Sequence, residues 1–207
     1  MINLEKYFDK IVCINLDRRP DRYERFKSEM EKFNIKNIQR FSAVDGNTIT
    51  ETNTALLKGE VGILLSHLNI IKNAKKEGLK NILIMEDDVF FTDEIKNIAD
   101  YLQKVPNDWD FIYFGGNHVY GPKPTPINDK VLKLNYTVAL QCVAINHTMF
   151  EIIEAILPNM KKQVDGYYAE LHDRFNAYGF YPNMAKQTAG FSDIQNRNVD
   201  YSNYFKD

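Results

Sequence analysis

The stretch Asn81-Ile82-Leu83-Ile84-Met85-Glu86-Asp87-Asp88-Val89 decides the fold, because an apolar run ends abruptly in three consecutive carboxylates. A run this short, rich in Ile and Leu and bounded by charge, predicts a strand buried on both faces, with the acids emerging at its C-terminal edge. That edge is where open α/β sheets bind their ligands. Three adjacent carboxylates repel one another unless a cation sits among them, and hard oxygen donors of this kind suit Mn²⁺ or Mg²⁺. A solvated acidic turn at a strand end is the alternative reading of the same residues.

On either side of that stretch, strand-like and helix-like patterns alternate. Upstream, Ile11–Leu16 reads as a buried strand, Asp21–Phe33 as a helix with Tyr23, Phe26, Met30 and Phe33 at helical spacing, and Gln39–Val44 as a second strand. Glu60–Lys76 carries one apolar face through Val61, Leu64, Leu65 and Leu68 and another through Ile63 and Ile70, so the helix it forms must be largely buried. Gly78 stops it. Downstream, Asp93–Gln103, Thr148–Leu157 and Asp165–Tyr178 predict helices, and Asp110–Phe114, Leu132–Leu134 and Leu140–Ile145 predict strands. Between Gly116 and Lys130 the chain becomes a loop, and its stretch 121–130, with Pro122, Pro124 and Pro126, is expected to be flexible; 192–207 reads as a polar tail. The expectation is an α/β fold over 1–207 as a single domain, a mostly parallel central sheet flanked by helices.

With 207 residues, 44% of them hydrophobic, the chain can build one sizeable core. A net charge of -2 argues against a nucleic-acid surface and turns attention to small molecules and glycans. The segment Met1–Lys10 carries Glu5, Lys6, Asp9 and Lys10, which interrupt any secretory h-region, and no apolar run approaches the roughly 20 residues that span a bilayer. A soluble protein with a cytoplasmic location is expected, the inner face of a membrane being the alternative. Cys13 and Cys142 fall in apolar strand-like runs and are assigned no chemistry.

The turn after the first strand, Asn15-Leu16-Asp17-Arg18-Arg19-Pro20-Asp21-Arg22, places three arginines in five residues. Arginine's planar fork suits phosphate, and the start of the following helix offers free backbone N–H groups. A solvated helix cap paired with Asp17, Asp21 and Glu24 is equally compatible.

Together these residues resemble glycosyltransferase family 25, which includes bacterial lipopolysaccharide galactosyl- and glucosyltransferases and the collagen galactosyltransferases. Ile14–Arg22 is similar to the family's N-terminal signature, Ala43-Val44-Asp45-Gly46 to its second block, Gly59-Glu60-Val61-Gly62 with Leu65-Ser66-His67-Leu68 to its third, and Leu83–Val89 to its acidic block. Ser192-Asp193-Ile194 echoes a weaker late block.

The resemblance implies a GT-A-type, Rossmann-like fold and a UDP-hexose donor, with galactose as the expected hexose. It further implies a glycan acceptor, such as a lipopolysaccharide, an oligosaccharide or a glycoprotein, and inverting transfer assisted by Mn²⁺ or Mg²⁺. In that frame Glu86-Asp87-Asp88 stands for the Asp-X-Asp motif, with Glu86 and Asp87 on the donor side and Asp88 on the metal. Related enzymes often add a late His or Asp to the metal; no His follows His172 here, so the resemblance leaves Asp193 or Gln187 in that place, or a metal held mainly by Asp88, phosphate and water.

For the base that removes the acceptor proton, Asp165 is the candidate, with Glu170 and Asp193 as alternatives and a helix cap as its structural reading. Asn15, Leu16, Arg18, Arg22, Asp45, Gly46, Glu60, Ser66, His67, Gly115 and Gly116 complete the expected donor-binding set. A core histidine, a helix-dipole glutamate, a turn and a strand-ending Gly pair are the structural readings of His67, Glu60, Asp45-Gly46 and Gly115-Gly116. A catalytically inactive nucleotide-sugar binder and a phosphoacceptor regulatory domain stay open. The matched blocks form what looks like a minimal, bacterial-type catalytic domain.

Overall fold

A computed structural model describes residues 2–50 and 54–204. In chain order the elements are β1 (Ile11–Asn15), α1 (Pro20–Lys32), β2 (Gln39–Ser42), α2 (Lys58–Lys76), β3 (Asn81–Glu86), β4 (Val89–Phe91), α3 (Ile98–Lys104), β5 (Phe111–Tyr113), β6 (Thr125–Pro126) and β7 (Val131–Lys133). They continue with β8 (Cys142–Asn146), α4 (Phe150–Ile156), α5 (Val164–Leu171), β9 (Ala177–Phe180), β10 (Ala185–Gln187), β11 (Gly190–Ser192) and β12 (Arg197–Val199). One sheet runs in the order β2-β1-β3-β8-β5-β9-β7-β6. Strands β2, β1, β3, β5, β9 and β6 share a direction, while β8 and β7 oppose it. The sheet is therefore mostly parallel, as the sequence predicts.

Residues of the central strands alternate between two cores. Ile11 and Cys13 of β1 and Leu83 and Met85 of β3 pack with Phe26 and Met30 of α1 and Ile98 and Tyr101 of α3. Val12, Ile14, Ile82 and Ile84 pack on the other face with Leu64, Leu68 and Ile71 of α2 and with residues of α4 and α5. Burial on both faces explains why β1 and β3 read as unbroken apolar runs. In α2 both apolar faces are spent: Val61, Leu64, Ile70 and Ile71 are buried.

Several expectations change. The helix expected over Asp165–Tyr178 ends at Leu171, because the Asn176 N–H donates to Asp110 Oδ2 (2.8 Å) and its carbonyl accepts from Asp110 N (2.8 Å), which aligns Ala177–Phe180 with β5. Asp93–Gln103 splits into a 3₁₀ turn over Asp93–Asn97 followed by α3. Of the stretch read as a polar tail, 192–204 is described and is not featureless, since β11 and β12 form an antiparallel hairpin. Strand β4, directly after the acids, pairs with β10. Among the described residues no helix is long and apolar enough to cross a membrane.

Candidate active site

The C-terminal ends of β2, β1 and β3 open into a cleft of about 670 Å³, walled on its far side by the segment 187–201. Its lining includes Asn15, Leu16, Arg18, Arg22, Asp45, Gly46, Glu60, Glu86, Asp87, Asp88, Asp165 and Asp193, so most of the sequence-predicted set converges there from six separate parts of the chain.

Arg22 is the centre of the arrangement. From the first turn of α1 its Nε donates to Asp87 Oδ1 (2.6 Å), its Nη2 lies 2.5 Å from the same oxygen and 3.0 Å from Asp88 Oδ2, and its Nη1 donates to the Phe191 carbonyl (3.2 Å). Asn15, at the buried end of β1, donates to Asp87 Oδ2 (2.6 Å) and to the Arg19 carbonyl (3.0 Å), and accepts from Arg40 Nε (2.8 Å). Asp87 is thereby a structural anion that fixes the turn after β1 to the end of β3.

Asp193 reaches back from the hairpin to the same turn. Its carboxylate accepts from Arg18 Nη1 (2.6 Å) and from Arg19 Nη1, while Arg18 Nε also donates to Asp45 Oδ2 (2.8 Å). Arg19 is further held by Asp21, whose carboxyl this guanidinium pulls down to about 2. Both Asp193 oxygens are engaged by guanidinium groups, which gives this residue a clamping role where the sequence suggested a metal ligand.

Glycines let the backbone close around these groups. A Cβ on Gly59 would lie 2.5 Å from Ile194 Cα, one on Gly62 would lie 2.5 Å from the Val44 carbonyl oxygen, and one on Gly46 would meet the Lys58 carbonyl. Only glycine lets the start of α2 approach both the Asp45-Gly46 turn and the 193–194 segment. Glu60 accepts from Leu57 N (2.8 Å) at the start of α2 and from Gln163 Nε2 (2.6 Å).

The acid cluster carries the electrostatic strain of the site. Burial, reinforced by Asp88 and Asp87, pushes the Glu86 carboxyl well above the ordinary carboxylate range. Burial also raises Asp88, against the opposing pull of Arg22, and Asp88 Oδ1 is buried with no hydrogen-bond partner among the described residues. Asp165, in the first turn of α5 with Gln163 rather than itself at the cap, accepts from Gly166 N (2.8 Å) and is raised by burial. The lining holds five arginines and seven carboxylic side chains, a balance that a bound cation would shift toward an anionic ligand.

A divalent cation fits that role. Among the described residues no three His, Cys, Asp or Glu converge into a cage. Mg²⁺-type sites, however, use one or two carboxylates and complete their shell with phosphate oxygens and water. The unpartnered Asp88 Oδ1 is the hard donor such a site needs.

Four expected residues lie outside the cleft lining. The Ser66 hydroxyl donates to the Gly62 carbonyl (2.8 Å) and accepts from Val44 N (2.9 Å), so it fastens α2 to the strand-end turn. His67 is fully buried, with Nδ1 3.2 Å from the Tyr168 hydroxyl, and burial lowers its pKa to about 3. A Cβ on Gly115 would collide with the Ala185 carbonyl and one on Gly116 with Thr137, so this pair permits close packing behind the site. The cleft also contains Arg25, Arg197, Gln163, Tyr120, Tyr136 and Tyr201, which no motif singled out. Only the helical spacing of Arg25 from Arg22 could have pointed to one of them.

The fold and the cleft define an α/β protein with a charged cleft, lined by paired acids and arginines, at the C-terminal edge of parallel strands. Residues 8–125 match the model of "Glycosyltransferase family 25 (LPS biosynthesis protein)", and the chain belongs to that family.

Procollagen galactosyltransferase 1 of Danio rerio is 32% identical over 139 residues, which are 56% of this chain and 23% of the relative. Inactive glycosyltransferase 25 family member 3 of Mus musculus is 32% identical over 136 residues, 54% of this chain and 22% of the relative. The chain thus spans about a quarter of the length of the curated relatives it matches. Among solved structures, a Drosophila galactosyltransferase 7 mutant in complex with manganese, UDP-Gal and xylobiose aligns at 10% identity with a TM-score of 0.47, over 92% of this chain and 74% of that one. A glycosyltransferase involved in glycosylation of the major capsid of PBCV-1 aligns at 12% identity with a TM-score of 0.43, over 83% and 91%. These structural likenesses are too distant to assign a site.

Proposed function

We propose that the protein transfers a hexose, galactose before glucose, from a UDP-sugar to a glycan acceptor with inversion, assisted by Mn²⁺ or Mg²⁺. The observation that carries this reading is the unpartnered Asp88 oxygen at the mouth of β3, inside a cleft where carboxylates outnumber arginines. Asp88 would hold the cation, which when bound supplies positive charge to a departing diphosphate. Glu86 and Asp45 border the space for the sugar and nucleoside, and Asn15, Arg22 and Asp87 keep that wall rigid. Asp165 stands across the cleft, and its raised pKa suits a base that must accept a hydroxyl proton near neutral pH. Tyr120 and Phe191 expose aromatic faces at the rim, apolar bodies suited to the C–H face of an acceptor sugar. Family membership supports glycosyl transfer as the class of reaction.

A donor screen that scores UDP release with and without Mn²⁺ tests the proposal. Release from one UDP-hexose is expected, abolished in Asp88→Asn and reduced about 10²-fold or more in Asp165→Asn. Equal release by wild type and Asp88→Asn contradicts it. Binding without transfer is a second reading, favoured by the relatives named inactive. Donor-dependent stabilisation with no release to water or to any glycan would select that reading.

A further inference from the structure

The conspicuous arginines of the sequence are already neutralised. Arg18 is held by Asp45 and Asp193, Arg19 by Asp21 and Asp193, and Arg22 by Asp87 and Asp88. Each guanidinium has its fork occupied by a carboxylate of the same chain, so a phosphate could take it only by breaking an existing ion pair. Two other arginines of the cleft differ.

Arg25 lies three residues beyond Arg22 on α1, hence on the same side of the helix, and faces Asp88 without an ion pair among the described residues. Arg197, in β12 opposite Ser192, is carried over the cleft by the hairpin; its Nε donates to Gln195 Oε1 (2.9 Å), and it too has no carboxylate partner among the described residues. Tyr201 lines the same cleft, and its hydroxyl accepts from Gln195 Nε2 (2.5 Å), the residue that also holds Arg197.

We infer that Arg25 and Arg197 form the anion grip of the cleft, closing on the diphosphate of a nucleoside diphosphate donor from two sides, while the three arginines of the turn after β1 are architectural. The inference rests on the donor reading above and names the residues that serve it. The physical argument is charge availability. A guanidinium bound to a carboxylate has little net field left for a ligand, whereas an unpaired one at the wall offers a bidentate, charge-assisted fork at no cost in broken contacts. One is supplied by α1 and the other by the hairpin, and both line the same cleft.

Calorimetric titration of the full chain with UDP, with inorganic pyrophosphate and with uridine, in Mn²⁺, tests the assignment. Arg25→Gln and Arg197→Gln should each weaken UDP and pyrophosphate at least about tenfold, leave uridine binding unchanged and leave the melting temperature of the ligand-free protein within a degree or so, since neither removes an ion pair. Arg18→Gln should show the reverse pattern, lowering the melting temperature with less than about threefold effect on UDP. UDP binding within twofold of wild type in both Gln variants overturns the grip and leaves the donor reading intact. Pyrophosphate binding that depends on Arg25 and Arg197, with no preference for UDP, supports the grip and overturns the nucleotide donor. Binding of neither probe by wild type overturns both.

Discussion

The two walls of the cleft are built in opposite ways. The wall formed by the ends of β1 and β3 is dense and, but for one Asp88 oxygen, internally paired: Asn15, Arg22, Asp87 and Asp88 lie close to one another at the ends of two buried strands. The wall formed by 187–201 is thin, two three-residue strands and a turn, held to the first mainly by Asp193 and by the Phe191 carbonyl across about 170 residues of sequence. The first wall gains its rigidity from pairing its charges. The second keeps Arg197 exposed, and with it a charge for something other than the protein.

The largest effect that would break this comparison is on the dense wall. Arg22 and Asp87 have side chains only 11% and 9% exposed, so Arg22→Ala leaves buried carboxylates without their counter-ion. A loss of roughly 3–5 kcal/mol is expected. In a chain of this size it lowers the melting temperature by about 10 °C or more. Urea unfolding measures it, and a loss comparable to that of an exposed pair would show the wall to be far less rigid than described.

Next in size is the joint between the walls. Gly62→Ala puts a methyl against the Val44 carbonyl, with a cost of about 1–3 kcal/mol and local loosening of the Asp45-Gly46 turn. Proteolysis and denaturant unfolding would both report it. Asp193→Asn should cost less than Arg22→Ala, since its two hydrogen-bonded partners Arg18 and Arg19 are 42% and 23% exposed and keep Asp45 and Asp21 as counter-ions, yet it should speed hydrogen exchange across 190–199 while leaving β1 and β3 protected. Uniform exchange changes would show that the thin wall is not a separate unit.

The smallest effect is a pH slope. Burial holds the Asp165 carboxyl above its ordinary value, so the folded state keeps this proton after the unfolded chain has lost it. Between those two values the native state binds more protons, and the group makes stability fall as pH rises; below the lower value and above the upper one it adds no slope. Asp165→Asn removes the titration, so the variant gains on wild type as pH rises through that window. Unfolding measured from about pH 4 to about pH 8 checks this, and a difference that does not vary with pH contradicts it.

The same contrast explains what the sequence revealed. The strands β1 and β3 were legible because both faces are buried and their residues are continuously apolar, and Glu86-Asp87-Asp88 stood out as charge against that background. Strands β10, β11 and β12 are three residues long and partly exposed, with no periodic signal; β10 exists through its distant partner β4, and the hairpin of β11 and β12 follows a backbone bond from Thr188 N to the Asp88 carbonyl. Tertiary pairing, which no local pattern encodes, also ended α5 at Leu171 and turned Ala177–Phe180 into a strand.

Among site residues, Arg18 and Arg22 drew attention as a motif, and the structure spends them on carboxylates. Their motif points Ser66 and His67 toward the pocket, whereas the structure uses them to fasten α2 and fill its core. Residue type and spacing show where charge is; only the fold shows which charge is already taken.

The most direct test of the account is a crystal structure of the protein soaked with a UDP-hexose and Mn²⁺. The diphosphate is expected at the mouth of β3, with the metal's anomalous signal on Asp88 and the phosphates between Arg25 and Arg197. A diphosphate bound elsewhere, or a metal peak away from residues 86–88, would contradict it.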